Sequence, residues 1–96
     1  MPLIRNKIVG YDDERLAFKF TMLSENNGEA VECQISDAAM DELAGSRGTP
    51  SIARQGQFVA RRDVIERIAS DLYDSGPAVK GLTIRIFTKH IPKEQG

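Results

Sequence analysis

The chain has 96 residues, 41% hydrophobic and 28% charged, which makes one domain near the small end of the range in which an apolar core suffices without disulfides or metals. No apolar run approaches a membrane span, and Met1-Pro2-Leu3-Ile4-Arg5 lacks the apolar stretch and cleavage site of a secretory signal, so a cytoplasmic protein is expected. The formal net charge of −1 divides unevenly: Met1–Gly45 holds four basic against nine acidic residues, net −5, and the remainder nine against five, net +4. Such a split fits a nucleic-acid surface, self-complementary association, or no function at all once the halves fold together.

Residues 1–10 are weakly patterned, with Ile4, Ile8 and Val9 available for a short edge strand. Tyr11-Asp12-Asp13-Glu14-Arg15 reads as a turn, because paired Asp side chains bond to nearby backbone in preference to strand pairing. Leu16 to Met22 is the clearest strand, with Leu16, Phe18, Phe20 and Met22 on one face and Ala17, Lys19 and Thr21 on the other. Asn26-Asn27-Gly28 supplies the positive φ angles of a tight hairpin. The partner strand is Ala30 to Ile35, with Val31, Cys33 and Ile35 inward and Glu32 and Gln34 outward.

Ser36 or Asp37 caps a short helix over Ala38 to Ala44, and Gly45 is placed to end it in a left-handed conformation. Thr49-Pro50 suits the N-cap and first turn of a second helix, in which a break is expected near Gly56, because Arg54 projects from the same stripe as Phe58. The main helix then runs from about Gln57 to Tyr73, with Phe58, Ile65, Ile68, Ala69 and Leu72 within about 100° of arc. Asp74-Ser75-Gly76-Pro77 stops it, Ala78 to Gly81 forms a loop, and residues 92–96 form a frayed tail. Leu82 to Lys89 alternates again, with Leu82, Ile84 and Ile86 toward the helices and Thr83, Arg85, Phe87 and Lys89 away. The order is β-β-α-α-β, with a possible extra N-terminal strand. It predicts a single two-layer α+β domain, a small antiparallel or mixed sheet with two helices packed on one face.

Three stretches carry a family likeness: Cys33-Gln34-Ile35-Ser36-Asp37-Ala38-Ala39-Met40, the spacing Phe58-x-x-Arg61-Arg62-x-x-Ile65-Glu66, and Gly81-Leu82-Thr83-Ile84. Over roughly Tyr11 to Ile86 the chain resembles the small bacterial proteins grouped as Domain of Unknown Function 1488. The resemblance implies a compact bacterial α+β domain with no assigned activity and no catalytic residues to carry over. Arg62 falls where members commonly carry Arg, between apolar positions matched by Phe58 and Ile65.

Chemistry is sparsely provided for. His90 is the only histidine and Cys33 the only cysteine, so a zinc site lacks ligands and no internal disulfide can form. Cys33, inside an alternating strand, reads as a small buried hydrophobe. Asp12-Asp13-Glu14 lacks the spaced ligands of a calcium loop, and Gly45-Ser46-Arg47-Gly48-Thr49 lacks a Walker lysine. Neither enzyme activity nor a cofactor is expected.

Two surfaces remain. With helices on one side only, the open sheet face leaves Ala17, Thr21, Thr83 and Phe87 in water, and Lys19, Arg85, Phe87 and Lys89 form the candidate interaction surface. Self-association or an unknown protein partner is the favoured use of this face, alone or with the C-terminal strand. The alternative is weak single-stranded nucleic-acid binding by the same four residues, opposed by Glu32, which can pair with Lys19 or Arg85. No membrane partner is expected. Arg62 is the candidate structural arginine, its stem over Phe58 or Ile65 and its guanidinium on Glu66 or a loop carbonyl; the competing use is an anion anchor in a groove between the helices.

Overall fold

The computed structural model describes residues 3–26, 28–75 and 83–91. Along the chain run β1 (Leu3–Asp12), β2 (Ala17–Ser24), β3 (Ala30–Ser36), α1 (Asp37–Ala44), α2 (Arg54–Ala60), α3 (Arg62–Ser75) and β4 (Ile84–Ile86). Single 3₁₀ turns occupy Ser51–Ala53 and Thr88–His90. The strands form one mixed sheet in the order β1-β2-β3-β4, antiparallel except for the parallel β3–β4 pair. This is the expected α+β arrangement with the N-terminal strand added. Asn27, the segment 76–82 and the tail 92–96 lie outside the described residues, and with them the middle of the hairpin turn, the Gly76-Pro77 stop, the Ala78–Gly81 loop and Leu82.

Alternation in β2 and β3 sets the two faces. Phe18, Phe20 and Met22 are buried beside Cys33 and Ile35 of β3, and onto them pack Ala39 and Met40 of α1, Phe58 of α2, and Ile65, Ile68 and Ala69 of α3. Phe58 is the keystone of this layer: its ring lies 4.8 Å from that of Phe18 and 4.9 Å from that of Phe20. Ile86 and Ile91 close the C-terminal end of the core.

The weakly patterned first ten residues belong to a ten-residue strand. Its register against β2 slips between Arg5 and Ile8 and again between Ile8 and Gly10, where Gly10 adopts φ +130°. Each bulge inserts a residue and resets the alternation, so no single period-two pattern survives along the strand. The following turn is shorter than expected, because Tyr11 and Asp12 are paired in β1. Asp12 Oδ1 accepts the N–H groups of Glu14 and Arg15 at 3.0 and 3.2 Å, closing the turn.

Leu16 does not face the core. It takes the left-handed conformation, φ 53°, and is 57% exposed, while its carbonyl accepts the Asp37 N–H at 2.9 Å. Ala17, expected in water, is 1% exposed: its methyl sits on the outer face between Asp12 and Ser36 of the adjacent strands.

Ser36 Oγ caps α1 through the Ala39 N–H, and Gly45 at φ 70° ends it. The helix break falls at Arg61 (φ −116°, ψ 15°) and not at Gly56, which lies within α2. A glycine inside a helix costs about 1 kcal/mol against alanine, too little to break one held by Phe58. Thr49 does not cap the next turn; its hydroxyl is turned to Asp41. The last strand spans Ile84–Ile86 only, and Lys89 and His90 stand in the 3₁₀ turn, so the expected strand over Leu82–Lys89 is shorter and His90 is not in a strand.

Candidate functional site

The outer face of the sheet takes one row from each strand. Register places Lys19 of β2 beside Gln34 of β3, and Gln34 beside Arg85 of β4, so the two cations lie on one face two strand spacings apart, roughly 10 Å. Lys19 is half-buried and its Nζ stands 3.4 Å from Asp12 Oδ2. That diagonal pair replaces the contact with Glu32 foreseen for it. Glu32 and Arg85 share the face on adjacent strands, two residues out of step, and among the described residues neither makes an ion pair. Phe87 follows β4 in extended conformation, 43% exposed, its ring centroid 6.0 Å from that of His90. Lys89 is exposed on the 3₁₀ turn, displaced from the row that Lys19 and Arg85 share. Ile4, opposite Leu23, adds a half-exposed apolar side chain at the β1 edge.

Behind the sheet lie two ion clusters. In the first, Glu66 of α3, its side chain 7% exposed, is held between two arginines. Arg5 Nε donates to both carboxylate oxygens at 3.0 Å, and Arg62 Nε donates to Oε2 at 2.9 Å. Arg62 Nη2 also reaches the Asn6 carbonyl at 3.3 Å, and its guanidinium carbon stands 5.7 Å from the centroid of the Phe58 ring. The side chain thus bridges α3, β1 and the core aromatic, a geometry suited to holding structure together. Arg62→Met retains the stem but removes the charge-assisted bonds, each worth about 1.5 to 3 kcal/mol. We expect a fall of at least ~5 °C in melting temperature, read by circular dichroism; an unchanged value contradicts a structural role.

The second cluster was not foreseen. Arg54, 3% exposed, lies between α1 and α2, with Nη1 2.7 Å from both Asp41 Oδ1 and Gln57 Oε1. Asp41 also accepts from Thr49 Oγ1 at 2.6 Å and Gln57 Nε2 at 3.1 Å. The Arg54 bond, backed by these two donors, holds the Asp41 carboxyl well below the usual carboxylate range. Asp37 Oδ1 stands 3.3 Å from Arg54 Nε, and both atoms are buried without a well-aligned hydrogen bond. Asp37 Oδ2 accepts the Tyr11 hydroxyl at 2.7 Å, which pushes the phenol pKa up. The available signal was the stripe position of Arg54, four residues before Phe58, and the i,i+4 spacing of Asp37 and Asp41, which presents two carboxylates on one face of α1.

Burial pushes the Cys33 thiol up to about 12, far from a reactive thiolate. His90 Nδ1 accepts the Phe87 N–H at 2.9 Å. Among the described residues no group of three or more His, Cys, Asp or Glu is placed to hold a metal ion, and no helix is long and apolar enough to cross a membrane.

No curated protein matches the chain. Among solved structures, a crystal structure of a protein of unknown function from the DUF1488 family of Shewanella loihica PV-4 superposes with a TM-score of 0.74 at 21% identity, covering 88% of this chain and 91% of that one. At that identity the likeness is one of fold. The sequence itself is more specific: residues 5–85, from the arginine that grips Glu66 to the one on the open sheet face, match the family described as Protein of unknown function (DUF1488). The chain therefore belongs to the DUF1488 family.

Proposed function

We propose that this protein is a non-catalytic, cytoplasmic bacterial module that associates with a second copy of itself through the open face of the sheet. The observation that carries the reading is the pair of opposite charges on that face, Glu32 and Arg85, each without an ion-pair partner among the described residues. A two-fold axis between them brings Glu32 of one copy to Arg85 of the other, a self-complementary arrangement. Half-exposed Phe87 and Ile4 supply apolar contact at the two margins. The non-catalytic part of the reading rests on commitment: Asp41 and Glu66 are bound to arginines, and the Cys33 thiol is suppressed by burial.

The size of the face sets the strength. Strands of 10, 8, 7 and 3 residues cover roughly 450 Å² of flat area, below the ~800 Å² per partner of a standard stable interface. Association is therefore concentration-dependent and not obligate. Light scattering over a concentration series is expected to show a rising mass average that Phe87→Ala reduces; a constant monomer mass at every concentration overturns the reading. The basic residues serve nucleic acid poorly, since Lys19 is paired with Asp12 and Lys89 is out of line. Salt-sensitive binding of a single-stranded oligonucleotide, weakened by Arg85→Ala and Lys89→Ala, is the outcome that would favour that use instead.

A further inference from the structure

A groove of about 350 Å³ opens at the break between α2 and α3. Arg5, Arg61, Arg62 and Asp63 line it on the polar side, and Val59 and Val64 on the apolar side. We infer that this groove binds a small phosphate monoester, with Arg61 and Arg5 as its anion ligands.

The charges in the groove carry the inference. Three guanidiniums meet two carboxylates there. Glu66 is nearly buried and fully engaged, fixing Arg5 and Arg62 from behind, so their forks are oriented before any ligand arrives. Glu66 is the shared acceptor of both arginines, and these charge-assisted bonds set the direction of each fork. Arg5 remains 49% exposed at the groove mouth. Arg61 is exposed beside it, and its side chain has no hydrogen bond or ion pair among the described residues. Asp63 is the weak member: its side chain is 89% exposed and holds Arg5 Nη2 through one oxygen at 2.8 Å. When a ligand displaces Asp63 from Arg5, Arg5, Arg61 and Arg62 face only Glu66, a surplus of two positive charges. A phosphate monoester carries −1.5 to −2 near neutral pH and meets that surplus, whereas a carboxylate carries −1 and leaves half of it unmet. Val59 and Val64 then contact the organic part of the ligand.

The test is an NMR titration of the full chain with inorganic phosphate and with free phosphoserine. Saturable shifts of backbone amides over residues 59–64 are expected with both. Arg61→Ala, on an exposed side chain, leaves the fold intact and weakens binding by about tenfold or more, equivalent to at least ~1.4 kcal/mol. Asp63→Asn removes the competing carboxylate and tightens binding several-fold. Sedimentation with phosphatidic-acid vesicles separates the two sources of such a phosphate: vesicle binding lost in Arg61→Ala places it on a lipid, and phosphoserine binding without vesicle binding places it on a soluble molecule. Shifts that fail to saturate, or that are equal in Arg61→Ala and the wild type, overturn the assignment.

Discussion

Asp41→Ala is expected to lower the melting temperature by about 12 °C or more, because it strips the main partner from an arginine that is 3% exposed. Removing one member of a buried ion pair typically costs about 3 to 5 kcal/mol, since the remaining charge stays out of water. Here the lower end applies, as Asp37 still stands 3.3 Å from Arg54. Against a net stability of about 5 to 15 kcal/mol for a small domain, the loss is large. The effect also has a pH signature. Asp41 titrates below its unfolded value of about 3.9, so the stability it contributes is present above that value and is lost as pH falls through it toward the folded one. The gap in melting temperature between wild type and Asp41→Ala is therefore full at pH 7 and narrows below about pH 4. A gap that is constant down to pH 2 would show that the carboxylate charge is not what matters.

Phe58→Ala is expected to be at least as damaging, costing about 3 to 5 kcal/mol by cavity formation. The ring is fully buried, stacks on Phe18 and touches Phe20, and receives Arg62 from above, so its loss removes aromatic contacts as well as volume. Phe58→Leu keeps most of the volume and should lose roughly 1.5 kcal/mol or less. Denaturant melts of the two variants check both halves of the claim. Similar stabilities for Ala and Leu would mean that the site collapses around the deletion, and that Phe58 is not the keystone of the helix layer.

How much of this was readable from residues differs by element, for physical reasons. The hairpin of β2 and β3 was legible because one face is buried and the other is not, which forces a clean alternation. β1 was nearly invisible although it is the longest strand, since bulges before and after Ile8 reset its phase. The break in the helical region was misplaced because Gly56 looked like its cause. The chain instead turns at Arg61, where Phe58 enters the core and Arg62 reaches back to Glu66 and Asn6.

Arg54 taught the opposite lesson. A charge on the apolar stripe argued for breaking the helix, yet the residue is buried there because α1 brings Asp37 and Asp41 to it. Such a pairing depends on tertiary placement that local pattern does not encode. Of the outer-face residues, Lys19 and Arg85 could be assigned to one face by parity alone. Phe87 and Lys89 were harder, because the chain leaves the strand for a 3₁₀ turn immediately after Phe87.

The proposed role turns on whether two copies meet through Glu32 and Arg85, and sedimentation equilibrium on a charge-reversal set addresses that directly. Glu32→Arg and Arg85→Glu should each shift the wild-type association toward monomer by placing like charges across the two-fold axis. The double variant, with both charges reversed, should restore it. A wild type that stays monomeric at all concentrations, or single reversals that associate as well as the wild type, would contradict self-association through this face.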